Sequence, residues 1–185
     1  MEDLVARYGY LAVFLGTVFE AETMLVVGGF AAHQGWLRLD LVMLAGICGS
    51  VLGDQAVFWL ARANGPAWLA CHPRLELACQ RTLPLLNRWG DLFAMVFRFV
   101  YGLRTVGPML IGLGPMAPAR FALLNGLGAI LWVTSVAILG ALFGHVLEAT
   151  AGRPDSAEAR LAALVGLAAA VFTLAWLRRR WIRRG

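Results

Sequence analysis

The sequence contains no lysine: all sixteen cationic residues are arginine, and charged residues of either sign fill only 15% of its 185 positions. Charge this sparse, beside 60% hydrophobic residues and a mean hydropathy of +0.71, excludes an ordinary water-soluble domain and points to an integral membrane protein. Cysteine is scarce as well. Cys48, Cys71 and Cys79 cannot make a disulfide framework, and Cys71, His72 and Cys79 lack a fourth ligand at metal spacing, so no metal and no cofactor is expected. No small-residue cleavage site closes a signal peptide, and the mature chain is expected to be the whole chain. A pI near 9.9 and a net charge of +5 would suggest nucleic acid in a soluble protein. Here the arginines gather at segment ends and in the C-terminal RRRWIRRG, which membrane orientation explains, so nucleic acid is not an expected partner.

What is abundant is apolar sequence. Runs near the length of a bilayer crossing occur at 41–61, 121–147 and 161–177. Two other apolar stretches are broken in the middle. Residues 8–36 are interrupted by Glu20-Ala21-Glu22 and then by Gly28-Gly29, and residues 92–116 by Arg98, Gly102, Arg104 and Gly107-Pro108. Charges and helix breakers at the centre of an apolar stretch predict a re-entrant hairpin, because backbone that leaves the helix at membrane depth must line protein or water. Residues 64–91, polar and carrying Pro66, Pro73 and Pro84, read as an amphipathic connector at the interface, and residues 178–185 as a basic tail. The tail arginines place the C-terminus in the cytoplasm. Counting back through the spans, Arg62, Arg74, Arg81, Arg88 and Arg120 then fall inside and Glu2, Asp3, Asp40, Glu148, Asp155 and Glu158 outside.

An internal repeat fits this plan. GWLRLDLVMLAGICGSVLGDQAVFWLARANG from Gly35 overlays GPMAPARFALLNGLGAILWVTSVAILGALFG from Gly114 without gaps, pairing Gly35, Gly49 and Gly65 with Gly114, Gly128 and Gly144. The predicted fold is therefore an all-α integral membrane domain, an inverted repeat of hairpin plus transmembrane helix with one further C-terminal transmembrane helix. Carried back by the same offset, Arg98 and Arg104 fall on Phe19 and Leu25 and so bracket Glu20 and Glu22. One hairpin tip is acidic and its counterpart is basic.

An ionised side chain at bilayer depth costs roughly 2.5 to 3.5 kcal/mol even on a lenient insertion scale, so each needs a partner or a cavity. The candidates are Glu20, Glu22, Asp54, Arg98 and Arg104. Three acids cannot all be neutralised by two arginines, and desolvation favours proton uptake by the excess carboxylate. The arginines stay charged, and a guanidinium fork can hold phosphate oxygens at two points. Half-helix N-termini near Thr105 and Gly107 would add backbone donors, and Asn125 could either pack or line the site. His33 and His145 read as interfacial residues and the tryptophans as membrane anchors.

With these residues the sequence resembles the DedA family, also called SNARE-associated or VTT-domain membrane proteins. The resemblance runs from about Phe19 to Gly144. It rests on Glu22, Thr23, Gly29, Phe30 and Gly35, on Gly53-Asp54 before an aromatic and Arg62, on FRFVYGLR around Arg98 and Arg104, and on Met116, Phe121, Asn125, Gly128, Ala129 and Trp132. The chain departs from the family pattern at VFEAE, where a proline-rich lead is usual, and at Tyr101, where a proline is usual between the arginines. The resemblance implies a multi-pass protein of the bacterial inner membrane with two facing re-entrant hairpins, linked to flipping of undecaprenyl phosphate or scrambling of glycerophospholipids, with proton-motive-force dependence. The expected partners are a membrane lipid with a phosphate headgroup and protons; homo-oligomerisation is left open.

The leading expectation is a transporter of an anionic lipid in which Arg98, Arg104, Thr105 and Asn125 bind phosphate and Glu20, Glu22 and Asp54 couple to protons. One alternative is a membrane-homeostasis or structural factor in which the charges only hold the fold. Another is an intramembrane lipid-phosphate enzyme. Against that, the sequence offers no nucleophile paired with a base, no metal set and no soluble catalytic domain.

Overall fold

In a computed structural model, residues 2–19, 22–71, 88–99, 103–151 and 166 are described. Among them the chain is all-helical. The helices are α1 (Glu2–Val18), α2 (Glu22–His33), α3 (Leu39–Cys71), α4 (residues 88–96), α5 (Leu103–Leu113) and α6 (Pro118–Ala151), with a 3-10 turn at Phe97–Phe99 between α4 and α5. The third apolar run at 161–177, the tail at 178–185 and connector residues 72–87 lie outside the described residues.

Two of these helices are long and apolar enough to cross a membrane, over Leu39–Gly65 and Pro118–Val146. At 1.5 Å per residue each such segment is about 40 Å long, more than the hydrocarbon thickness of about 30 Å. Their outward faces are apolar too: Leu44, Leu52, Trp59 and Leu60 on α3, and Leu123, Leu131, Leu139 and Val146 on α6, are exposed. An aqueous protein would not leave such a surface open, whereas lipid tails cover it without cost. The fold is that of an all-α membrane protein.

The chain divides into two compact units, one formed by Met1–Thr17, Ala21–Gly46 and Val133–Gly185, the other by Val18–Glu20 and Ile47–Trp132. In the first, small residues bring backbones together. A Cβ on Gly29 would collide with the Ala137 carbonyl and one on Gly140 with the Val26 carbonyl, so α2 and α6 touch at main-chain level. Leu25, Phe30, Val42 and Val133 are buried in this unit, Leu25 and Val133 meeting at Gly46.

The turn from α2 into α3 is set by Gly35, whose φ is 80°. Trp36 N–H donates to the Ala31 carbonyl and Gly35 N–H to the Ala32 carbonyl, the two bonds of a Schellman cap. A Cβ there would meet nothing within 4 Å, so the requirement for glycine is conformational, not steric. Gly35→Ala is expected to destabilise the protein by about 1–2 kcal/mol, the cost of left-handed backbone for a residue with a Cβ. A lowered thermal-unfolding midpoint in detergent checks this.

The second unit packs around Phe58, Phe93, Ala94, Phe97, Ile111 and Phe121. Phe58 and Phe121 stack at 4.6 Å between ring centroids with 12° between planes, joining α3 to α6. Here again glycines admit backbone. A Cβ on Gly53 would lie 2.6 Å from the Val18 carbonyl oxygen, one on Gly112 2.5 Å from that of Phe58, and one on Gly128 2.6 Å from that of Met95. These contacts bring α3 against the end of α1, α5 against α3, and α6 against α4.

Candidate functional site

The site grows from the 3-10 turn that joins α4 to α5. The aromatic neighbours of Arg98 differ in burial, Phe97 lying in the core and Phe99 exposed, and the turn aims Arg98 between α3 and α6. Arg98 is 2% exposed. Its Nη1 donates to Ser50 Oγ, and its Nη2 donates to Asp54 Oδ2 and, at 2.6 Å, to Asn125 Oδ1. Ser50 and Asp54 lie one turn apart on α3 and so share a face. All three partners are buried. Among the described residues, a guanidinium taken out of water is thus met by a carboxylate and two neutral acceptors, as its desolvation demands.

Arg104 sits in the first turn of α5 and is 8% exposed. Its guanidinium lies 5.5 Å from the centroid of the Trp132 ring, and Phe99 meets the same ring edge-on at 5.3 Å. Trp132 follows Asn125 by seven residues on α6, two turns along the same face. One stripe of α6 therefore carries a contact for each arginine. The stripe also presents unused donors, since Asn125 Nδ2 and Trp132 Nε1 are buried and, among the described residues, have no acceptor. Pro108 breaks the backbone ladder of α5 one turn beyond Arg104.

Of the sequence-predicted residues, the structure brings Asp54, Arg98 and Asn125 into one hydrogen-bonded cluster and seats Arg104 against Trp132. Thr105 lies in α5, close to the helix N-terminus at Leu103, but its side chain is outside the described residues. Glu22 opens α2, its side chain likewise not described, and Glu20 falls outside the described residues altogether.

The VTT-domain family profile matches residues 18–142, a stretch that encloses every residue of this cluster. The chain belongs to the VTT-domain family. It is 36% identical over 147 residues to inner membrane protein YohD of Escherichia coli, an alignment covering 80% of this chain and 77% of that protein. It is 26% identical to protein DedA of E. coli over 167 residues, covering 79% and 75%. To undecaprenyl phosphate transporter A of Bacillus subtilis it is 23% identical over 147 residues, covering 76% and 74%. No solved structure matches.

Within this VTT domain three participants escaped the sequence reading. Ser50 is one, although a hydroxyl placed four residues before Asp54 in an apolar helix was a visible signal. Trp132, read as a membrane anchor, has its ring against Arg104. The third is Arg62, counted only as an inside-facing charge and as part of the family pattern. Its Nε donates to the Gly112 carbonyl at 3.2 Å and its Nη2 to those of Gly114 and Met116 at 2.7 and 2.9 Å. Arg62 thereby satisfies carbonyls at and beyond the C-terminus of α5, which would otherwise be orphaned, and ties to α3 the helix that carries Arg104.

In the other unit, His33, read as interfacial, shares a hydrogen bond of 2.9 Å with Glu148 Oε2 and packs at 4.0 Å against the ring of His145. This contact fastens the end of α2 to α6, with Gly144 leaving room for the His33 ring.

Proposed function

We propose that this protein carries a phosphate-bearing lipid across the bacterial inner membrane, with Arg98 and Arg104 as the anion-binding pair. The observation that supports it best is the chemistry of one α6 face. Two buried guanidiniums are seated on Asn125 and Trp132, whose own buried N–H groups find no acceptor among the described residues. Buried donors left over are costly, and a ligand rich in acceptor oxygens is what would satisfy them. A phosphate has several such oxygens and the negative charge that arginine selects. The kinship with undecaprenyl phosphate transporter A favours a polyprenyl phosphate or a glycerophospholipid as the carried molecule.

Proton coupling is assigned to Glu20, Glu22 and Asp54. Asp54 already shares Arg98 Nη2 with Asn125, so a phosphate that takes this guanidinium arrives beside the carboxylate. Two negative charges about 4 Å apart repel by about 4 kcal/mol at an effective dielectric constant of about 20, which favours proton uptake by the carboxylate as lipid binds and proton release as it leaves. Thr105 and the N-terminal turn of α5 would add donors to the phosphate. The two broken apolar stretches, 8–36 and 92–116, are assigned as opposed re-entrant hairpins of an inverted repeat, with the C-terminus in the cytoplasm.

The test is transport by the purified protein in liposomes, with fluorescent glycerophospholipid or polyprenyl phosphate placed in one leaflet. Movement well above protein-free liposomes is expected. A purified, folded protein that moves neither lipid would leave the charges as fold-holding groups and the protein as a structural factor.

A further inference from the structure

A second concentration of arginine lies away from Arg98, around residues 88–91 of α4 and the start of α6. There a cavity of about 460 Å³ is lined by Arg88, Trp89, Asp91, Pro115, Met116 and Arg120, among others. Arg120 Nη2 donates to Asp91 Oδ2, and both side chains are largely open to the surroundings. Arg88 has no carboxylate partner among the described residues, and its guanidinium stands 5.9 Å from the centroid of the Trp89 ring. Among its described lining residues two cations face one anion, a positive balance to which the first turn of α6, which supplies Arg120, adds the positive end of a helix dipole.

We propose that this cavity binds a phosphate group at the level of the membrane–water interface, separately from the Arg98 cluster. Its walls have the composition that level selects. Trp89 and Leu92 are each about half exposed beside the arginines, placing an amphipathic ring and an apolar side chain at the edge of a basic pocket. The volume accommodates a phosphate with its glycerol or sugar substituent but falls short of a whole lipid, whose chains would remain in the bilayer. The back wall is held in place, since Met116, which lines the cavity, gives its carbonyl to Arg62. Asp91 is the built-in competitor: an incoming phosphate must share Arg120 with it. The charge sign that follows is specific to anion binding. Deleting the Asp91 charge strengthens the site, whereas an ion pair that served only to hold the structure would gain nothing from that loss.

The experiment is equilibrium binding to the purified full-length protein in a neutral detergent, with three probes: short-chain phosphatidylglycerol, short-chain phosphatidylcholine and inorganic phosphate. Asp91→Asn is expected to tighten phosphatidylglycerol binding about tenfold and Arg88→Gln to weaken it about tenfold, the scale of one charge-assisted hydrogen bond. Both effects should shrink as salt is raised. Preference for phosphatidylglycerol over inorganic phosphate identifies a lipid headgroup as the source. Equal response to the two identifies free phosphate, and the site stands in either case. Unchanged or weaker binding by Asp91→Asn, with elution and thermal unfolding like the parent, overturns the proposal. Because binding is read at equilibrium, the outcome is independent of whether the protein transports lipid.

Discussion

Arg98→Lys is expected to insert and fold but to lose most lipid transport, and Arg98→Ala to lose about 3–5 kcal/mol of stability besides. The arginine fork reaches Ser50 through one terminal nitrogen and Asp54 with Asn125 through the other. An ammonium is a single point on a flexible stem. It can keep Asp54 neutralised, but it cannot hold that spread of acceptors and present two parallel donors to a phosphate. Alanine removes the charge itself and leaves a buried carboxylate without this partner, the situation in which broken buried ion pairs cost most. Paired measurements separate the two losses: unfolding midpoints in detergent for stability, and initial rates in liposomes for transport. Near-parental transport by Arg98→Lys would show that the arginine acts as a point charge in the fold and not as a phosphate fork.

Asp54→Asn is expected to abolish the pH response of transport while costing less stability than Asp54→Ala. Asparagine keeps an oxygen that can accept from Arg98 but cannot take up a proton. If Asp54 protonates as phosphate claims Arg98, wild-type transport will change with pH and the asparagine variant will follow a flat profile. Glu20→Gln and Glu22→Gln are run in the same series, so that the residue whose loss flattens the profile is identified. If all three variants keep the wild-type response, these acids serve only as partners of the arginines. Combining Asp54→Asn with Arg98→Gln should cost less stability than the sum of the single changes, because the double change removes both members of the pair and leaves neither charge without the other.

The membrane character of this chain is legible because the bilayer imposes it along the sequence. The long apolar segments of α3 and α6 show as runs, and an arginine inside such a run demands explanation wherever it occurs. Arg98, Arg104 and Asp54 stand out on that ground, and the spacing of glycines, acids and arginines carries the family resemblance. Asn125 is legible as a polar residue that could pack or line the site and counts with the expected phosphate-binding residues; the structure adds that its Oδ1 accepts from Arg98.

Other roles could not be seen because they depend on contacts between distant positions. Arg62 looks like any basic residue at the end of a span until α5 ends beside it, about fifty residues later in the chain, and brings three carbonyls within its reach. Trp132 carries the same composition signal as the membrane anchors, and only the packing of α5 turns it toward Arg104. His33 and Glu148 meet because Gly29 and Gly140 let α2 and α6 touch. Composition and the order of apolar runs thus determined by themselves that this is an all-α membrane protein with charges set inside apolar stretches, since transfer into lipid acts on each residue locally. Which acceptors each buried guanidinium finds was decided by tertiary structure alone, because hydrogen bonds are short and directional and only the packing of helices brings their two ends together.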